Sequence, residues 1–156
     1  MTGSRRAVVF VVLASVLLGT GLIASPADAG NGKAGVVVVH GDGTVRTDCV
    51  ALPKAEVSGF RLLKASDFEF RAARFSFGRA VCWLDGEGVD TRDPSSCLPE
   101  DAPFWGYWTE DKGGTPVSSE VGAGDRRVRR GAIDYWVFDT FPQDAPADVT
   151  LRDICS

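Results

Sequence analysis

The residues best suited to chemistry form an aromatic run, Phe104-Trp105-Gly106-Tyr107-Trp108-Thr109, followed by Gly122-Ala123-Gly124-Asp125 and Asp134-Tyr135-Trp136. Three of the four tryptophans and both tyrosines lie between residues 105 and 136. At that density aromatic side chains either build a compact β core or line a concave ligand surface. Alternate side chains of a strand face opposite sides. Trp105 and Trp108 therefore differ in facing, as do Phe104 and Tyr107, and at least one tryptophan is expected at an outer face or loop edge. There it would stack on a planar or cyclic ligand or anchor a protein partner. The plain alternative is packing against Trp83, Trp136 and a helix.

Arg126-Arg127-Val128-Arg129-Arg130 is the one dense basic cluster. It could meet phosphate or carboxylate groups; the charges of a solvated edge strand explain it equally well. Asp85-Gly86-Glu87-Gly88-Val89-Asp90, with Asp93 nearby, carries hard oxygen ligands suited to calcium, but it fails the EF-hand pattern at Val89 and Asp90. A tight turn flanked by acidic residues is the expectation. No zinc site is expected, because no two cysteines stand at C-x-x-C spacing and His40 is the only histidine. Nucleophilic catalysis lacks its parts: there is no G-x-S-x-G elbow, the cysteines should be oxidised, and His40 sits beside a hairpin turn. The expectation is a protein that is not an enzyme and carries no cofactor.

These groups must be positioned by a small exported domain. Arg5 and Arg6, the apolar run Ala7 to Ala24 and the small residues of Ala27-Asp28-Ala29 read as a signal peptide over 1–29, cleaved after Ala29. Residues 30–156 are then a single domain, secreted and extracellular, with no membrane association after cleavage. The formal net charge of −4 argues against nucleic-acid binding.

Along the chain, Val36–Val39 and Thr44–Val50 flank an Asp42-Gly43 turn and read as a hairpin, ended by Pro53. Val57 to Ala65 changes period: Ser58 is a candidate N-cap, Phe60 and Leu63 lie three apart, and Gly59 weakens the helix. Phe68–Arg71, Arg74–Phe77 and Ala80–Leu84 are strand pieces. Glu87 to Pro103 is loop-like. Phe104–Glu110 is an aromatic strand turned by Lys112-Gly113-Gly114, with a return over Val117–Val121. Arg126–Arg130 and Tyr135–Asp139 are further short strands. The fold class is α+β and β-grasp-like: a β-hairpin, one short helix, then several mostly antiparallel strands on one layer, with a core over about 36–140.

Four cysteines in an exported chain read as two disulfides, in three possible pairings. The favoured set is Cys82–Cys97 and Cys49–Cys155. The first closes a local loop worth roughly 3 kcal/mol. The second ties the C-terminal tail to the start of the domain through a loop of about 100 residues, worth roughly 4.7 kcal/mol, and prevents fraying.

The order of several short segments resembles a known family. Gly41-Asp42-Gly43, Gly59-Phe60-Arg61-Leu62-Leu63-Lys64-Ala65 and Val81-Cys82-Trp83-Leu84-Asp85-Gly86-Glu87-Gly88 are followed by the aromatic run, Val121-Gly122-Ala123-Gly124-Asp125 and Gly131-Ala132-Ile133-Asp134-Tyr135-Trp136. This series is similar to the C-terminal domain of transcobalamin and its bacterial secreted relatives, in the soluble-ligand-binding β-grasp group. It covers roughly Val36 to Phe138. The resemblance implies a module that supplies one face of a ligand site, for a corrinoid in the vertebrate members. The helical barrel that forms the other half of that site is absent from this sequence.

The sequence therefore points to a secreted, non-catalytic ligand-binding module for a corrinoid-like or other cyclic metabolite. Trp105, Tyr107 and Trp108 would be its platform, Tyr135 and Trp136 an adjoining wall, and Arg126 and Arg129 its rim. A protein partner would complete the site. The alternative is a secreted protein-interaction module, an inhibitor or envelope-associated factor, acting through the 89–103 loop, which the Cys82–Cys97 bond would pre-order.

Overall fold

The structure is a computed structural model that describes residues 32–147 and 149–156. The expected signal peptide lies outside the described residues. In chain order the elements are β1 (Gly32–Val39), β2 (Val45–Leu52), β3 (Glu56–Val57), α1 (Gly59–Ala65), β4 (Phe70–Phe75) and β5 (Gly78–Leu84). After them come β6 (Glu87–Gly88), α2 (Pro94–Cys97), β7 (Phe104–Glu110), β8 (Val117–Ser118), β9 (Val128–Arg129), β10 (Ile133–Asp139) and α3 (Leu151–Ile154). The fold is mixed α+β and dominated by strands.

The hairpin forms where the Asp-Gly signal places it. Gly43 takes a positive φ of 83°, its N–H donates to the His40 carbonyl at 2.9 Å, and the Asp42 carboxylate accepts from Thr44 N–H at 2.8 Å. The β-branched run of β1 is buried on both faces, with Val36, Val37 and Val38 fully inaccessible, as expected of a central strand. It lies between β2, antiparallel, and β10, parallel. The main sheet runs β2-β1-β10-β7-β8, and all its pairs except β1–β10 are antiparallel.

One face of this sheet carries Ala34, Val36, Val38, Leu52, Trp105 and Trp136, and α1 packs on it through Phe60, Leu62 and Leu63. Ser58 caps the helix, its hydroxyl accepting from Arg61 N–H at 3.3 Å. Burying three such side chains contributes on the order of 5 kcal/mol before ordering costs. The opposite face presents Val37, Ile133 and Tyr135, and the C-terminal tail covers it with Val149, Leu151 and Ile154. Ile154 fits because Gly35 leaves room: a Cβ there would lie 2.7 Å from Ile154 Cδ1. The Cys49–Cys155 bond pins the tail, and Cys82–Cys97 braces β5 to α2. Both disulfides are the favoured pairings, and they suit an oxidising compartment.

The expected single layer gains two smaller sheets, β4-β5-β6 and β3-β9. The pieces Phe68–Arg71 and Arg74–Phe77 merge into β4, whose register shifts between Arg71 and Ala72 before the strand ends at Phe75. The Val117–Val121 return shortens to β8, because the Ser119 hydroxyl donates to the Val121 carbonyl at 2.7 Å and turns the chain. The Arg126–Arg130 strand shortens to Val128–Arg129. Inside the 89–103 loop, Asp93 accepts from Ser95 N–H at 3.0 Å and Pro94 opens the single turn α2. Among the described residues no helix is long and apolar enough to cross a membrane.

Candidate functional site

The aromatic strand β7 lies between β10 and β8, but β8 pairs only with Trp108 and Thr109. Among the described residues, no strand pairs with Phe104 to Gly106 on that side. Along this open stretch runs a groove of about 560 Å³, lined by Trp105, Tyr107 and Trp108 from the strand. That volume falls within the usual range of small-molecule sites. Its walls hold Phe77 and Phe141, 70% and 84% exposed, together with the exposed Val121 and Leu98. Apolar side chains this exposed and this close together mark an interaction surface.

The strand's alternation divides the aromatics as the pleat requires. Trp105 turns toward the helix-side core and is 5% exposed; its Nε1 donates to the Glu87 carbonyl at 3.3 Å, and its ring meets Phe138 at 5.0 Å. Trp108 packs on the tail-side cluster and stays partly accessible. Between them the side of Gly106 is occupied by Gln143, whose Nε2 donates to the Phe104 carbonyl at 3.0 Å.

Tyr107 leads inward to a buried polar group. Its hydroxyl donates to Asp134 Oδ2 at 2.5 Å, and Arg126 Nε stands 3.7 Å from Asp134 Oδ1. Arg126 also donates to Asp111 at 2.7 Å. Asp134 is fully buried, and both its Oδ1 and Arg126 Nε lack a hydrogen-bond partner among the described residues. Burial pushes the Asp134 carboxyl up to about 6, against the pull of the Tyr107 hydrogen bond and the Arg126 charge. Burial, then the Asp134 charge, raises Tyr107 far above the usual phenol range. For Arg126 burial works against the charge, yet the Asp111 hydrogen bond and the Asp134 carboxylate outweigh it and the net shift is upward.

The structure brings Trp105, Tyr107 and Trp108 to one groove and leaves the other candidates elsewhere. Trp136 is buried against Phe60 and Tyr107 on the helix side, with ring centroids 6.0 and 4.7 Å away. Tyr135 is buried on the opposite face, where its hydroxyl donates to Glu110 at 2.6 Å. Arg129 pairs with Glu56 at 3.3 Å on an exposed surface. Neither tyrosine-tryptophan wall nor arginine rim lines the groove.

The acidic segment after β5 forms the expected tight turn, with Asp85 and Gly86 at positive φ of 50° and 93° between β5 and β6, and its carboxylates engage His40. Asp85 and Glu87 hold His40, at 3.1 Å from Nε2 and 2.8 Å from Nδ1, and Asp85 also pairs with Arg46. The cluster joins the β1–β2 turn to the β5–β6 turn. Among the described residues no group of three His, Cys, Asp or Glu side chains is arranged to hold a metal. Sequence reading missed the groove walls Phe77, Leu98 and Phe141. Phe77 next to Gly78 and Phe141 next to Pro142, large apolar residues at turns, were the available signal. Comparison with protein-family models and with curated proteins gives no match for this chain.

Proposed function

We propose that this protein is a secreted, non-catalytic ligand-binding module of the β-grasp type, which holds a cyclic metabolite against the β7 groove. The central parallel β1–β10 pair, the hairpin before α1 and the helix laid across one sheet face support the β-grasp assignment. The signal-like segment at 1–29 and the two disulfides support export. The observation that carries the binding role is the apolar groove itself, with Tyr107 and Trp108 along the strand and the exposed Phe77 and Phe141 opposite. A corrinoid-like ring is the ligand suggested by the sequence resemblance. The groove is open on one side, so it covers one face of such a ring, and a partner protein would cover the other.

The test is tryptophan fluorescence of the oxidised protein titrated with cobalamin and a panel of other cyclic metabolites, corrected for ligand absorption. Saturable quenching that weakens at least tenfold in Trp108→Ala and in Phe141→Ser is the expected result. Phe141 is 84% exposed, so its loss does not threaten folding. Binding that both variants leave unchanged would place the ligand elsewhere and overturn the assignment.

One observation favours a second reading, a protein-interaction module. Leu98, on the 89–103 loop and next to the disulfide-bonded Cys97, forms part of the same groove wall. A partner engaging that loop would meet the same apolar surface. Capture of a specific secreted protein that is lost in both Leu98→Ser and Phe141→Ser, with no metabolite bound, would favour this reading over the first.

A further inference from the structure

A second groove, of about 650 Å³, opens between α1 and the β4–β5 hairpin. Its floor is Phe60 and Phe70, stacked with centroids 6.1 Å apart. Arg61, Lys64, Arg79 and Arg92 line it, and no aspartate or glutamate does. None of these four side chains makes an ion pair among the described residues, which is also true of Lys33, Lys54, Arg74, Lys112, Arg130 and Arg152; what sets the four apart is that they line one groove. Arg79 is seated with its guanidinium 4.4 Å above the Phe60 ring, which fixes the charge at the groove.

This arrangement carries a cost that packing does not explain. Arg61 and Lys64 stand three apart on a two-turn helix, a like-charge spacing that destabilises helices. The other two cations arrive from separate segments, in a chain whose net charge is −4. A cleft lined by one sign of charge over an apolar floor concentrates counter-charge from solution. We propose that this groove is an anion-binding site for a small ligand carrying two linked phosphate groups. A phosphate group carries about 1.5 to 2 negative charges at neutral pH, so two roughly balance four cations. Guanidinium forks also match phosphate oxygens in pairs. The site shares no lining residue with the β7 groove, and the two assignments stand or fall separately.

Inorganic pyrophosphate is the probe, titrated by calorimetry into the oxidised full chain, with citrate as a carboxylate of similar charge. Expected is one saturable site that weakens as salt rises. Affinity should fall roughly tenfold or more in Arg61→Gln and in Arg92→Gln, the scale of one lost charged hydrogen bond. All the substituted side chains are exposed, and circular dichroism checks the fold. Arg127→Gln, which removes the same charge from a pair with Glu56, should leave the affinity unchanged. Absence of saturable binding overturns the proposal. An equal loss in Arg127→Gln reduces it to a net-charge effect and overturns the site. Citrate binding as tightly as pyrophosphate overturns the phosphate assignment.

Discussion

Replacing Asp134 by asparagine should change how stability depends on pH more than it changes stability at acid pH. Asp134 is fully buried, faces Tyr107 and Arg126, and feels Asp111 beyond them. Its carboxyl rises from 3.8 to about 6 in the folded protein. The folded state thus holds this proton more tightly than the unfolded chain does. Below pH 3.8 both states are protonated and the contribution is fully present. As pH rises through the window to about 6, the unfolded chain ionises first and stability falls by about 1.4 kcal/mol per pH unit. Over a difference of about two units the loss is about 3 kcal/mol, complete above the folded value. Asparagine keeps an acceptor for Tyr107 and cannot ionise. Other groups, including Asp42 and Asp93, whose values are lowered by hydrogen bonds from Thr44 and Ser95, titrate alike in both proteins and cancel in the comparison. Urea unfolding followed by tryptophan fluorescence at half-unit steps from pH 4 to 7.5 measures the difference. The stability of wild type relative to Asp134→Asn should fall by about 2.4 kcal/mol across that range, the remainder of the loss lying below pH 4. A difference that stays flat would mean that Arg126 fully compensates the buried charge, and one that grows with pH would reverse the reasoning.

Gly59→Ala gains roughly 1 kcal/mol of helix propensity, but its Cβ would lie 2.2 Å from the Tyr107 hydroxyl and 2.9 Å from Asp134 Oδ2. Overpacking of about 1–3 kcal/mol should win, lowering the urea midpoint. Replacing both Cys49 and Cys155 by alanine removes a cross-link spanning 106 residues and should cost about 4 to 5 kcal/mol. Dye binding should report the uncovered Val37, Ile133 and Tyr135 face, and unchanged stability would show that the tail holds without its bond. His40→Asn should cost on the order of 1 kcal/mol, since it removes the ring that bridges Asp85 and Glu87 while Arg46 still pairs with Asp85 and Gly41 N–H still donates to Glu87; a thermal melt checks this.

What the sequence made legible was local. The Asp42-Gly43 turn, the Ser58 cap, the span of β7 and the favoured cysteine pairings follow from chemistry within a few residues or from counting. Non-local pairing was hidden: nothing near Val36 announces Asp134 as its parallel neighbour. Gly59 read as a weakness in the helix, yet it is the clearance over Tyr107 and Asp134. The basic cluster reads equally as an anion-binding rim and as a solvated edge, yet Arg126 turns inward while Arg127 and Arg129 share Glu56, 71 and 73 positions away in sequence. The cationic groove gathers its four charges from three separate stretches of chain, so no run of basic residues betrays it. Only Arg61 and Lys64, three apart on one helix, left a trace.

The covered back of the sheet also gives the domain a polarity. The tail ends at Cys155, bonded to Cys49, which sits opposite Gly35 in the register; Gly35 in turn aligns with Ile133 and Glu110. Val39 aligns through Val137 with Gly106 at the other extremity of the same strands. Four residues of strand, about 13 Å, separate these two levels. The start of β1 and the last cysteine therefore lie at one pole, and the open stretch of β7 looks out from the other. A surface linkage, fusion partner or neighbouring domain joined ahead of β1 or after Cys155 would hold the molecule by its base and present the aromatic groove outward.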